Sequence, residues 1–353
     1  MVSGRPLVLP DNDMMPSICR FVDIGLAYGA PGGIEMRALG YSLLATPLAF
    51  SLATMLPAIA EEKDKDAAII GRWDITVRGS DGEYPSWLEV KRSGYSTLVG
   101  SFVGRFGSAR PISQIQFDKN QVRFSLPLQW EKGNAHLQFS GALDGDRIRG
   151  DGTDEEGRRI TWTAVRAPSL KRSHQPEWGQ PIRLTGDKGL AGWKPRDATE
   201  KNAWTNRDGM LVNTAAGCDL LTERKFTDFK LHAEFRYPPG SNSGIYLRGR
   251  YEVQIEDNYG EEPECHKIGG VYGFLTPSLN PAKKAGEWQT FDIELVGRVV
   301  TVIFNDERII DRQTIPGITG GAIDSAEDSP GPILLQGDHG PIEFRNLIIT
   351  PAK

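Results

Sequence analysis

The side chains best suited to chemistry lie in three short stretches. In PILLQGDHG (332–340), Asp338 and His339 stand side by side between two glycines, with Gln336 just before them. An imidazole held by a neighbouring carboxylate works as a base near neutral pH. An Asp that merely stabilises a tight turn is the plainer alternative. In SNSGIYLRGRYEVQIED (241–257), period-two alternation sends Ile245 and Leu247 one way and Tyr246 and Arg248 the other. Val253 and Ile255 then face inward, while Glu252, Gln254 and Glu256 share the opposite face. FKLHAEFR (229–236) repeats the pattern, with Phe229, Leu231, Ala233 and Phe235 against Lys230, His232, Glu234 and Arg236. If the three strands pair, their polar faces merge into one platform. It would offer carboxyls for proton transfer, guanidiniums for developing negative charge, and amide and phenol groups for hydroxyls. A solvated sheet face explains simple alternation equally well. The repeated Arg, Gln and Tyr favour a site. Glu234 with Arg236 also reads as a cross-strand ion pair and Arg345 as a structural charge. Trp288 in GEW is an aromatic stacking surface or a core residue, and His232 and His266 read as peripheral. Cys265-His266 has no second clustered pair, so no metal site is expected.

Strands must position these groups. The 353 residues include 40 Gly and 23 Pro, which points to a turn-rich, all-β chain of more than one domain. No stretch of ten or more residues carries a convincing helical apolar period. Residues 67–166 contain eight short strand-like runs separated by Gly, Asp and Asn turns, the mark of an antiparallel β-meander that can close into a barrel. Trp73 and Trp162, near its two ends, are placed to meet across the closure. This module, spanning 61–166, has a loose likeness to lipocalin-like β-meanders and reads as an accessory without catalytic groups, folding on its own. Residues 167–180 are bounded by Pro and read as a linker. About ten further runs over 181–353 fit a two-sheet sandwich.

A formal net charge of −5 gives no electrostatic reason to expect nucleic acid or an anionic membrane as partner. MRALGYSLLATPLAFSLATMLPAIA (36–60) has a basic start, an apolar stretch and the small-x-small end Ala58-Ile59-Ala60, and so reads as a secretory signal. Pro47, Pro57 and the charged run after Glu61 argue against a membrane span, and no Cys near the cut suggests a lipid anchor. Met36 is then the expected start, with 1–35 an over-extended reading frame, and the mature protein is expected in the periplasm or outside the cell. Cys19 leaves with that extension. Cys218 and Cys265 remain, as a disulfide or as two buried thiols.

The order of motifs is specific. WTNRDGMLV (204–212), DLLTERKFTDFKLHAEFR (219–236), SNSGIYLRGRYEVQIED, GGVYGF (269–274), GEWQTFDIEL (286–295), FND (304–306) and GPILLQGDHGPIEFRNLII (331–349) together resemble the 3-keto-disaccharide hydrolase family, a concanavalin A-like jelly roll. The resemblance covers nearly all of 181–353. One stretch departs from it: NYGEEPECHKIGG (258–270) is long and acidic, which leaves loop-borne specificity open.

What the resemblance implies is cleavage of glycosides already oxidised to a ketone at C3 of the sugar. The ketone acidifies the C2–H. A base removes that proton to give an enolate, the C1 substituent leaves, and water adds to the enone. Such a site needs a base, donors for the oxyanion and an acid for the leaving group, and no hydride cofactor. The expected catalytic set is His339, Asp338, Glu234 and Glu252. Arg236, Tyr246, Arg248, Gln254, Gln336 and Trp288 are expected to bind substrate. A structural Ca²⁺ and the oligomeric state stay open. The rival reading is a carbohydrate-binding module without catalysis, since the same sheet suits sugar hydroxyls.

Overall fold

The structure is a computed structural model that describes residues 66–353 apart from Trp130 and Asp187. The proposed extension, signal segment and cleavage point all lie outside the described residues. All regular structure among the described residues is β-strand.

The first eight strands are β1 (Gly71–Gly79), β2 (Gly82–Ser93), β3 (Thr97–Val103), β4 (Arg110–Asp118), β5 (Gln121–Leu126), β6 (Leu137–Asp144), β7 (Arg147–Thr153) and β8 (Arg159–Arg166). They form an up-and-down barrel closed by antiparallel pairing of β1 with β8. Alternation fills the interior: Phe102, Phe124, Phe139 and Trp162 stack within it, with Phe124 and Phe139 at 4.8 Å. The barrel is therefore a packed core. Trp73 does share that core, but its ring lies under the Arg166 guanidinium at 4.3 Å, while Trp162 packs against Phe124 and Phe139.

Thirteen strands follow: β9 (Ile182–Arg183), β10 (Trp193–Pro195), β11 (Trp204–Arg207), β12 (Met210–Asn213), β13 (Leu220–Thr222), β14 (Phe229–Arg236), β15 (Asn242–Leu247), β16 (Tyr251–Glu256), β17 (Gln289–Val296), β18 (Val299–Phe304), β19 (Glu307–Thr314), β20 (Leu334–Leu335) and β21 (Ile342–Pro351). One sheet runs β10-β13-β20-β15-β16 and the other β11-β12-β21-β14-β17-β18-β19, with β9 added beside β21. The core between them takes the apolar sides of both, including Phe229, Leu231, Ala233 and Phe235 from one and Ile245, Leu247, Val253 and Ile255 from the other.

This arrangement corrects the single platform expected from three paired strands. β15 pairs with β16, but β14 pairs with β17 and β21 in the opposite sheet. Each sheet turns its apolar side to the shared core, so their polar sides face away from one another.

Residues 66–353 form one compact unit. Trp87 and Val103, from β2 and β3, join the sandwich core instead of the barrel's. Trp87 sits so close to Gly317 that a side chain there would come within 2.2 Å of its indole nitrogen. Nearby, Arg72 donates to the Pro316 carbonyl at 2.9 Å. Buried Asp74 faces Glu327; burial, and then the charge and hydrogen bond of Glu327, push its carboxyl up to about 9. The segment after the barrel is tied down as well. Arg298 donates to the Pro168 carbonyl, Arg172 grips Asp228 with two bonds of 2.6 and 3.0 Å, and Gly179 donates to Pro351. Cys218 is a free, buried thiol, and Cys265 is buried with its Sγ 3.5 Å from His266 Nδ1.

Candidate functional site

The β15–β16 hairpin positions the centre of the site. Tyr246 and Glu252 are direct cross-strand partners on the face turned away from the core. The Tyr246 hydroxyl lies 2.9 Å from Glu252 Oε2 and 3.0 Å from the Gly320 carbonyl. One hydroxyl proton cannot serve both acceptors. As a carboxylate Glu252 accepts from Tyr246; protonated, it would donate to Tyr246 and free that hydroxyl for Gly320. The electrostatics favour the protonated form. Burial, opposed by the Tyr246 bond and by His339 and reinforced by Asp338 and Asp219, pushes Glu252 up to about 8. Only 4% of the residue is exposed. Gly244 makes room for it, since a Cβ there would stand 2.5 Å from Glu252 Oε1. Gln254 lies next on the same strand face, its amide oxygen accepting from Ile255 N.

The loop after β20 brings the second half of the site. Gln336 is held through its backbone: its N–H donates to Gly244 O and its carbonyl accepts from the Ser243 hydroxyl at 2.8 Å. Its side-chain oxygen is buried without a partner, an acceptor ready for a hydroxyl. Asn213 donates to the carbonyls of Gly337 and Gly340, Asp219 accepts from Gly337 N, and Ser241 donates to Pro341 O. Those bonds fix the turn. It displays Asp338 and His339, both half-exposed, with Asp338 Oδ1 2.5 Å from His339 Nδ1. The bond to Asp338 raises the His339 pKa above its ordinary value against the opposing effect of burial. With Nδ1 engaged, Nε2 is the nitrogen left for proton transfer.

Two residues of this cluster were not singled out from the sequence. Asp219 is buried, which raises its carboxyl, and it accepts from Arg196 at 3.1 Å. Arg196 also donates to the carbonyls of Gly321 and Ala322, tying that loop to Asp219 at the entry to β13. The signal available was slight: an Asp just before a three-residue strand in CDLLTE.

The remaining expected site residues lie elsewhere. Glu234 is on the outer face of the other sheet, bound by Arg345 at 2.6 Å and Asn346 at 2.7 Å. Burial pushes its carboxyl up, but the Asn346 and Arg345 bonds outweigh it and leave the net shift downward. Arg236 pairs with Glu343 on that face, and Trp288 lies beneath two guanidiniums, those of Arg236 and Arg345, at 4.7 and 3.9 Å. His232 is there too, its pKa raised by the hydrogen bond to Asp292. Arg248 is not on the strand face. It sits in the β15–β16 turn at φ 55°, is 1% exposed, and donates to Glu327 O, Gly297 O and the Tyr251 hydroxyl. Its guanidinium is spent on fixing loops. Thus Glu252, Tyr246, Gln254, Gln336, Asp338 and His339 come together, while Glu234, Arg236, Arg248 and Trp288 do not.

The long acidic loop lies beside the site through its end. Tyr272 N donates to Glu252 O, and the His266 ring meets Tyr272 edge-on at 5.2 Å. Burial lowers the His266 pKa. Among the described residues no group of three His, Cys, Asp or Glu side chains is arranged to hold a metal ion.

Comparison with known proteins follows the division of the fold. No curated protein sequence matches the chain. Among solved structures, a presumed glycosyl hydrolase from Parabacteroides distasonis is 28% identical, with 52% of this chain and 96% of that one covered and a TM-score of 0.41. A carbohydrate binding module from Bacillus subtilis, 13% identical, covers 45% of this chain and 95% of its own at a TM-score of 0.28. LamA of Z. galactanivorans, in complex with laminaritriose and laminaritetraose, is 13% identical, with 49% of this chain and 98% of that one covered and a TM-score of 0.33. Residues 180–350, which hold the sandwich, match the model of the 3-keto-alpha-glucoside-1,2-lyase-like domain.

Proposed function

We propose that the protein cleaves glycosides bearing a C3 ketone, by C2 proton abstraction, loss of the C1 substituent and hydration. The supporting observation is a carboxyl kept protonated beside an acid-held imidazole on one sheet face. His339, oriented by Asp338, takes the C2 proton through Nε2. Glu252 gives its proton to the leaving oxygen, with Tyr246 holding the carboxyl in place. Gln254 and the unpartnered Gln336 oxygen bind sugar hydroxyls. None of these steps calls for a cofactor. The match of residues 180–350 to the family model supports a carbohydrate-active role. The proposal includes export to the periplasm or beyond, on the strength of segment 36–60 alone. Incubating the purified protein with a 3-keto disaccharide and with the unoxidised disaccharide tests it. Free 3-keto-hexose from the first alone is expected; binding of either sugar without turnover would make the protein a binding module instead.

A further inference from the structure

The barrel does more than sit beside the sandwich. Its β3–β4 loop, residues 104–109, runs against both loops that border the site. Gly321 N donates to Arg105 O at 2.9 Å. A Cβ on Gly320 would stand 2.3 Å from Gly107 O and 2.8 Å from Phe106 C, and one on Gly273 would stand 2.5 Å from Ser108 Cβ. Gly320 is the residue whose carbonyl meets the Tyr246 hydroxyl, and Gly273 follows Tyr272, whose N–H bonds Glu252 O. The backbone of Phe106–Gly107 is therefore one residue removed from the Tyr246–Glu252 pair. Gly107, at φ 78°, lets the loop turn sharply at that point. On this wall Phe106 is 52% exposed, an apolar ring left in water, with the Arg105 guanidinium 5.3 Å from its centroid. Trp87 and Val103, buried in the sandwich core, hold the loop's entry strand in place, so the ring is carried on a fixed support.

We propose that this barrel loop forms the leaving-group side of the site and that Phe106 stacks on the flat apolar face of the C1 substituent, whether a second sugar ring or an aryl group. The proposal rests on the reaction assigned above only for which end of the ligand meets Phe106. An aromatic ring on the face of a sugar or arene offers non-polar contact and favourable ring geometry, where a methyl group offers almost none.

The test uses the full chain and three 3-keto-glucosides, with glucosyl, nitrophenyl and methyl substituents at C1. Dissociation constants are measured by calorimetry for the wild type and for Phe106→Ala and Phe106→Tyr, with turnover followed in parallel. Phe106→Ala is expected to weaken the glucosyl and nitrophenyl ligands roughly 3- to 10-fold and the methyl glycoside far less, with Phe106→Tyr restoring binding. In the kinetics the loss should appear in KM and not in kcat. Equal weakening of all three ligands, or of none, overturns the proposal. Turnover with unchanged affinities sinks the Phe106 wall and keeps the reaction. A ring-dependent loss of affinity without turnover keeps the wall and sinks the reaction, and a wild type that binds none of the three overturns both.

Discussion

Two protonation states at one face carry the account at the scale of single residues. His339 must be neutral to take a proton, and its pKa lies above the ordinary imidazole value because Asp338 stabilises the charged form. Glu252 must be protonated to give one, and burial holds it so up to about 8. Activity should therefore rise with pH above the usual imidazole range and fall again near 8, a narrow bell in kcat/KM. Glu252→Gln should remove the alkaline limb and lower turnover by roughly 10²–10⁴-fold, and His339→Ala should cost a similar factor while removing the acid limb. A pH–rate profile of each variant checks this; an alkaline limb surviving in Glu252→Gln would show that the group titrating there is another. The raised pKa also has a sign for stability. Between about 4.5 and 8 the unfolded chain has lost the Glu252 proton while the folded one keeps it, so its contribution is full below that range and is lost as pH rises through it.

At the scale of elements, the β15–β16 hairpin was legible because its partners are adjacent in sequence and each polar residue falls on one side of a period-two pattern. Gly244 opposite Gln254 was silent in that pattern, yet it makes room for the Glu252 carboxyl. Gly244→Ala should displace Glu252, because a Cβ there would stand 2.5 Å from Oε1 and 3.1 Å from Cγ of that buried side chain, and so cost stability as well as activity. A loss of roughly 10²-fold in kcat with a lowered melting temperature is the expected result, and wild-type kcat would show that the position of Glu252 does not matter. β14 shows where the reading failed. Its alternation is as regular as that of β16, but alternation says which way a side chain points relative to the core, not which of two sheets owns the strand. Glu234 and Arg236 followed β14 to the far side, where Trp288, just before β17, lies against Arg236 and Arg345. Glu234→Gln should accordingly keep wild-type turnover, which steady-state kinetics will show; a collapse of kcat with an intact fold would return Glu234 to the site. Arg248 failed for another reason: it is a turn residue at positive φ, and strand parity does not extend into a turn.

For the whole molecule, both the barrel and the sandwich were legible from strand spacing and motif order, but their union was not. Trp87 and Val103 sit on strands whose alternation looks like any barrel strand's, and only the fold shows their side chains entering the neighbouring core. Trp87→Ala should cost about 3–5 kcal/mol as an unfilled cavity at the junction. Denaturant unfolding followed by tryptophan fluorescence and by circular dichroism should give one coincident transition in the wild type; an independent barrel transition unaffected by Trp87→Ala would show the two parts to be uncoupled. The chemistry itself is tested most directly by a 3-keto disaccharide deuterated at C2 of the oxidised sugar. Proton abstraction requires a primary isotope effect on cleavage or exchange of the label with solvent, both sensitive to His339→Ala. Normal cleavage with the deuterium fully retained at C2 would contradict the account, for the bond would then be broken by displacement at C1 without any enolate.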